Sequence, residues 1–225
     1  MLMMDSPSDN SIAQPIAQPI GQPIAQQVRE IKQSFRQLMD GATAASMRNK
    51  GLDYRLNWGA TLPRLRRMAD ELGSNYDLAI ALWKEDVREC KLLATMLMPP
   101  DAVLPEVIDI WMEQTTTVEI AEQAAYNLYQ HLPFAAEKAY QWIASSEDLY
   151  QLCGYHVLSR LFMQSREPNE RGISEFIDQA VAALHSPTVS LRKAAMQCLL
   201  HFSALGLVYE RMSRAATRQA GFDFI

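Results

Sequence analysis

Cysteine, histidine and glycine are scarce in this chain of 225 residues, at three, four and nine. Cys90, Cys153 and Cys198 stand apart on apolar stretches without CxxC or Cys/His ligand spacing. They point to buried free thiols in a reducing compartment, not to disulfides or zinc. His131, His156, His185 and His201 are equally dispersed, and no P-loop, GxGxxG, HExxH, GxSxG or EF-hand pattern occurs. The commonest nucleotide, metal and hydrolase readings are thereby removed, and no metal or cofactor is expected. No apolar run approaches the roughly twenty residues of a membrane span, and the opening MLMMDSPSDN carries no cationic targeting region. A cytoplasmic protein with no membrane contact is the expectation.

What is present is apolar content of 48% and a net charge of −5. Such a chain can bury a substantial core. A polyanionic partner would have to be met by a local patch. Residues 11–27 read SIAQPIAQPIGQPIAQQ, a Gln-Pro-Ile-Ala unit repeated with small variation. Proline at every fourth position removes backbone donors, so residues 1–27 are expected to form a disordered leader. From residue 28 to 225 the apolar spacing is helical almost everywhere, and the later prolines fall at helix starts or connections. The spacing predicts antiparallel pairs at about 75–84 with 87–97, 104–114 with 117–131, 133–144 with 147–165, and 172–185 with 188–204. Further helices are predicted near 28–39, 61–72 and 207–219. A repeat of thirty to forty residues is that of HEAT-like units, giving an all-α, right-handed α-solenoid whose concave face is lined by the second helix of each pair.

The least ordinary segment is MRNKGLDYRLNWGATLPRLRRMA, residues 47–69. Arg48, Lys50, Arg55, Arg64, Arg66 and Arg67 are opposed there only by Asp53 and are interleaved with Tyr54 and Trp58. Read as function, this is a phosphate-binding patch. Read as structure, it is a solvated cap with arginines paired to nearby acids. The following apolar stripe, with Trp83 in it, reads as core, and Arg88 with Glu89 as an internal ion pair or as groove-facing charges.

Several landmarks then fall in one order: Ala45-Ser46-Met47-Arg48, Gly51-Leu52, Tyr54, Leu56-Asn57-Trp58-Gly59, Leu62-Pro63, Leu82-Trp83-Lys84, Arg88-Glu89, Trp111, Leu132-Pro133-Phe134 and Arg192-Lys193-Ala194. In this the chain resembles the DNA alkylation repair family of HEAT-like alkylpurine DNA glycosylases, over nearly everything after the leader. The resemblance implies a solenoid that holds duplex DNA in its groove and excises 3-methyladenine or 7-methylguanine. A carboxylate and aromatic faces would stabilise the cationic sugar as the glycosidic bond breaks. It adds Arg88, Arg192 and Lys193 to the cations expected on DNA. Where active members carry Trp-Asp-x-x-Asp, this chain has Val118-Glu119-Ile120-Ala121-Glu122. Glu122, with Glu119 beside it, is therefore the candidate catalytic carboxylate. The phosphate-gripping arginine of the next concave helix has Leu152 as its nearest counterpart, and a second cleft tryptophan is replaced near Gln197 or Cys198. Of four cleft features only a carboxylate survives, and it is a longer one.

Between residues 101 and 150 the acids Asp101, Glu106, Asp109, Glu113, Glu119, Glu122, Glu137, Glu147 and Asp148 face Lys138 alone. Such a balance predicts an acidic groove floor around Glu119 and Glu122. Three functions follow: a duplex-DNA-binding solenoid whose glycosylase activity is lost or much reduced, an active glycosylase using Glu122, and a scaffold that takes a protein or peptide partner.

Overall fold

The computed structural model describes residues 22–225, among which there are twelve α-helices and no strand. The repetitive segment up to residue 21 lies outside the described residues. Helix α1 (Ile24–Gln37) begins inside the stretch assigned to the leader, because Pro23 stands just before it, where a missing N–H costs nothing. Its apolar stripe Val28, Ile31 and Phe35 is buried. Helix α2 (Gly41–Asn49) was not anticipated, having only Ala44 buried. Its start is nonetheless written locally: Asp40 accepts from the Thr43 N–H at 2.9 Å and the Thr43 hydroxyl at 2.7 Å.

The predicted pairs are all present. They are α4 (Tyr76–Trp83) with α5 (Arg88–Leu97), α6 (Pro105–Glu113) with α7 (Val118–Asn127), α8 (Ala135–Ile143) with α9 (Asp148–Met163), and α10 (Glu170–Leu184) with α11 (Val189–Ser203). Helix α3 (Leu62–Leu72) precedes them, α12 (Leu207–Gln219) follows, and a short 3-10 turn occupies Tyr129–His131. Side-chain oxygens of Asn75, Thr117 and Asn169 cap α4, α7 and α10. Helix α3 ends at Gly73, whose φ of 70° is open to glycine but strained for other residues.

Helices α3, α5, α7, α9 and α11 pack side by side as the inner layer, and α4, α8, α10 and α12 lie behind it. The core between the layers is continuous from Val28 to Phe202. Trp83 and Trp111 stack with centroids 4.2 Å apart, joining α4 to α6, and Phe162, Phe176 and Phe202 form an edge-to-face cluster near the C-terminal end. Close approach of α8 and α9 depends on Gly154, where a Cβ would lie 2.8 Å from the Ala139 carbonyl oxygen. The result is the all-α, right-handed solenoid of HEAT-like pairs expected from the spacing. None of the helices among the described residues is long and apolar enough to cross a membrane.

Candidate functional site

The loop of residues 50–61, which carries Lys50 and Arg55 of the basic block, is pinned by buried charge. Arg88, the first residue of α5, is 1% exposed and Glu89 fully buried. The Arg88 guanidinium donates to Glu119 through Nε at 2.8 Å and Nη2 at 2.6 Å, and through Nη1 to the Ala60 carbonyl at 2.9 Å and to Glu89 at 3.1 Å. Glu89 in turn accepts from the backbone N–H groups of Trp58 and Ala60, both at 3.2 Å. The Tyr54 hydroxyl donates to Glu119 at 2.5 Å and lies 2.9 Å from the Thr117 hydroxyl that caps α7. Burial alone would raise the pKa of Glu119, yet the Arg88 hydrogen bonds and charge, with Tyr54, hold it below the ordinary carboxylate value. Burial and the Glu119 carboxylate push the Tyr54 hydroxyl upward, so it stays protonated as a donor.

Two expectations change here. Arg88 is not a surface cation: it is buried, with its donors committed to Glu119, Glu89 and a loop carbonyl. Glu119 is not part of a solvated acidic floor or a free catalytic acid, since both its oxygens are taken by Arg88 and Tyr54. Sequence spacing put both on helical faces that looked polar. The loop folding back over α5 and α7 encloses them.

The other predicted cations separate. Arg48, Lys50, Arg55, Arg64, Arg66 and Arg67 are all exposed, but Arg55 leans toward Asp86 at 3.8 Å and Arg64 lies near enough to Asp40 to act on its charge. Arg66 of this block lines hollows along the inner layer. Arg192 is occupied by the carbonyls of Ser186 and Pro187, at 2.6 and 3.0 Å, and latches the loop before α11. Lys193 is exposed and lines the groove.

Three adjoining hollows make that groove, built from α3, α5, α7, α9 and α11. Tyr126 of α7 stands near its middle, with the Arg66 guanidinium 5.2 Å and the Arg160 guanidinium 4.5 Å from its ring centroid. Beside it, Glu122 lies 3.6 Å from His156 Nε2 and keeps 45% of its side chain exposed. Farther along, the Ser159 hydroxyl is hydrogen-bonded to His201 Nδ1, and Lys193 and Gln197 complete the wall. Burial, and then the Arg160 charge, lower the pKa of His201. Arg66, Arg160 and Lys193 thus face Glu122 and Asp70 in the groove.

The acidic midsection lies elsewhere. Glu106, Asp109 and Glu113 are exposed on α6, Glu137 on α8, and Asp101 and Glu147 on connections, while Lys138 is spent on Asp109 at 2.6 Å. The groove floor is therefore cationic at its centre, contrary to the acidic floor expected from the local charge count. Counting along the chain could not separate the outer helix of each pair from the inner one.

Arg160 and Tyr126 are the groove residues that sequence reasoning missed. Leu152, the nearest counterpart of the expected arginine, is buried in the core. His156 and Arg160, one and two turns farther along α9, reach the groove. That spacing of four was the available signal. Gln197 lines the groove and Cys198 is fully buried, so no aromatic ring stands at that position. No cluster among the described residues could hold a metal ion.

Residues 31–220 match the model of a family described as DNA alkylation repair enzyme. A solved structure described as a new family of proteins related to the HEAT-like repeat DNA glycosylases with affinity for branched DNA structures superposes with a TM-score of 0.76, over 86% of this chain and 83% of that one, at 16% identity. No curated protein matches the chain.

Proposed function

Given that the chain belongs to the DNA alkylation repair family, its residues 31–220 matching that family's model, we propose that it is a DNA-binding solenoid that grips the phosphate backbone along its inner groove, with glycosylase activity lost or much reduced. The observation that carries this reading is the line of Arg66, Arg160 and Lys193 along one groove whose nearest acids are Glu122 and Asp70. Phosphate neutralisation supplies most sequence-independent DNA affinity. Excision needs more. Val118 offers no π-face, Glu119 is consumed by Arg88, and Glu122 stands beside an imidazole and without an aromatic partner from α11. An ångström of displacement of a catalytic carboxylate can cost about a hundredfold in rate.

Branched DNA is included as a ligand on the strength of the structurally similar protein's described affinity, alongside ordinary duplex. The test is a fluorescence-anisotropy titration of a duplex and a four-way junction across a salt series, with an alkylated duplex assayed in parallel for base release. Three groove cations predict a log–log salt slope of about −3, at ~0.9 per phosphate. Base release should not exceed a no-protein control. Absence of salt-dependent binding to either DNA at low ionic strength would overturn the proposal.

A specific observation keeps the enzyme reading as the second: Glu122 is the one carboxylate of the Val118–Glu122 segment that reaches the groove. Base release abolished by Glu122→Gln would establish it.

A further inference from the structure

We infer that Tyr126 is a positioning residue which holds Arg66 and Arg160 as one phosphate clamp, so that the centre of the groove takes neighbouring phosphodiesters of a nucleic-acid backbone and does not read bases. The inference rests on the reading of the groove as a DNA site and adds the part that does the gripping.

Arg66 comes from α3 and Arg160 from α9, on the two flanks of α7, and each guanidinium is set against the same ring, 5.2 and 4.5 Å from its centroid. The two charges therefore lie within about 10 Å of each other, one Debye length at ~0.1 M salt, so their repulsion is only partly screened. Long arginine side chains on separate helices would relieve it by swinging apart. The negative face of the tyrosine ring opposes that movement and fixes both forks over the groove. Tyr126 itself is 38% exposed and no hydrogen bond among the described residues engages its hydroxyl, so the ring does this work from the surface and not as part of the core.

A duplex carries one negative charge per ~1.7 Å of axis, so two cations this close meet more than one phosphate. Such an occupant removes the repulsion between the two guanidiniums, and a lone monoanion would do so incompletely. With two guanidiniums set against one ring, less π surface is left for a base to stack on than on the open aromatic platforms of single-strand binders. Glu122, also in this hollow, is held near His156 and not against either guanidinium. Among the described residues neither fork is paired with a carboxylate, and Arg160 makes only a weak contact with the Met163 sulfur, at 4.0 Å.

The experiment compares the full chain with Tyr126→Phe and Tyr126→Leu by anisotropy titration of two duplexes of unrelated sequence across a salt series, with a circular-dichroism melt of each protein. Tyr126→Phe, which keeps the ring, should bind like the parent. Tyr126→Leu should weaken binding several-fold and make the salt slope shallower by about one to two units, as for loss of one or two phosphate contacts. The two duplexes should bind alike. Should Tyr126→Leu fold poorly, Tyr126→Gln, which suits this part-exposed position but has no ring, should give the same shallower slope. A parental slope in Tyr126→Leu, or in Tyr126→Gln where that variant stands in, would overturn the clamp, as would equal losses in the Phe variant and the ring-less one or a preference for one sequence. Absence of salt-dependent binding by the parent would instead sink the groove reading on which the clamp depends.

Discussion

Replacing Arg88 by methionine removes a cation that makes four hydrogen bonds in the core and leaves two carboxylates, Glu89 and Glu119, without it. Methionine matches much of the arginine's length, so packing is largely kept and the loss is electrostatic. Breaking a buried pair by deleting one partner costs about 3–5 kcal/mol. In a domain of this size one kcal/mol moves the melting temperature by about 2–4 °C, so the fall should be roughly 6–20 °C at neutral pH. The pH dependence gives a second check. Glu119 has a lowered pKa in the native protein, so its contribution to stability is present above the unfolded carboxylate value and is lost as pH falls through the native one. In the variant the same carboxylate is buried without its cation, which favours the protonated form. The gap between parent and variant should therefore be widest near neutrality and narrow toward about pH 4. Circular-dichroism melts of both proteins from acid to neutral pH measure it. A drop under 2 °C at neutral pH, or a gap that widens on acidification, would refute the assignment of Arg88 to a desolvated network.

Removing the Tyr54 hydroxyl by Tyr54→Phe deletes a hydrogen bond to the charged Glu119, at about 1.5–3 kcal/mol, and should lower thermal stability while leaving the helical spectrum unchanged. Gly154→Ala places a methyl 2.8 Å from the Ala139 carbonyl oxygen and from an Ile143 methyl, and chemical denaturation should report a loss of about 1–3 kcal/mol. Arg64→Ala with Arg67→Ala should leave the DNA salt slope close to the parent's, whereas Arg66→Ala should make it shallower by about one unit, since only Arg66 of the three lines the groove. Removing the groove's Glu122 charge with Glu122→Gln should strengthen duplex binding modestly at low salt, which a titration against the parent will read.

The helical pairs were legible because helix formation here is governed by local terms: apolar residues at spacings of three and four, prolines confined to helix starts and connections, and capping side chains such as Thr117 and Asn169. Helix α2 was not, because it buries only Ala44 and so leaves almost no periodic signal. The family resemblance was likewise readable, being carried by residues in chain order, and so was the replacement of the aromatic and aspartate positions at Val118–Glu122. What failed was the assignment of charges to faces. Arg88 and Glu119 are 31 residues apart and meet only because α5 and α7 pack side by side in the inner layer, under the loop that brings Tyr54 and Ala60 over them.

By itself, then, the sequence determined the repeat of antiparallel helices, the absence of ligand motifs for metal or nucleotide, and the altered cleft positions, each of which depends on neighbours within a turn or two. Tertiary structure alone decided which charges reach the groove. It buried Arg88 against Glu89 and Glu119, put Glu106, Asp109, Glu113 and Glu137 on α6 and α8 away from the groove, and brought Arg66, Tyr126 and Arg160 together from three different helices. The physical reason is that a charge's role is set by its solvation and its partners in space, and neither is written in the spacing of residues along one helix.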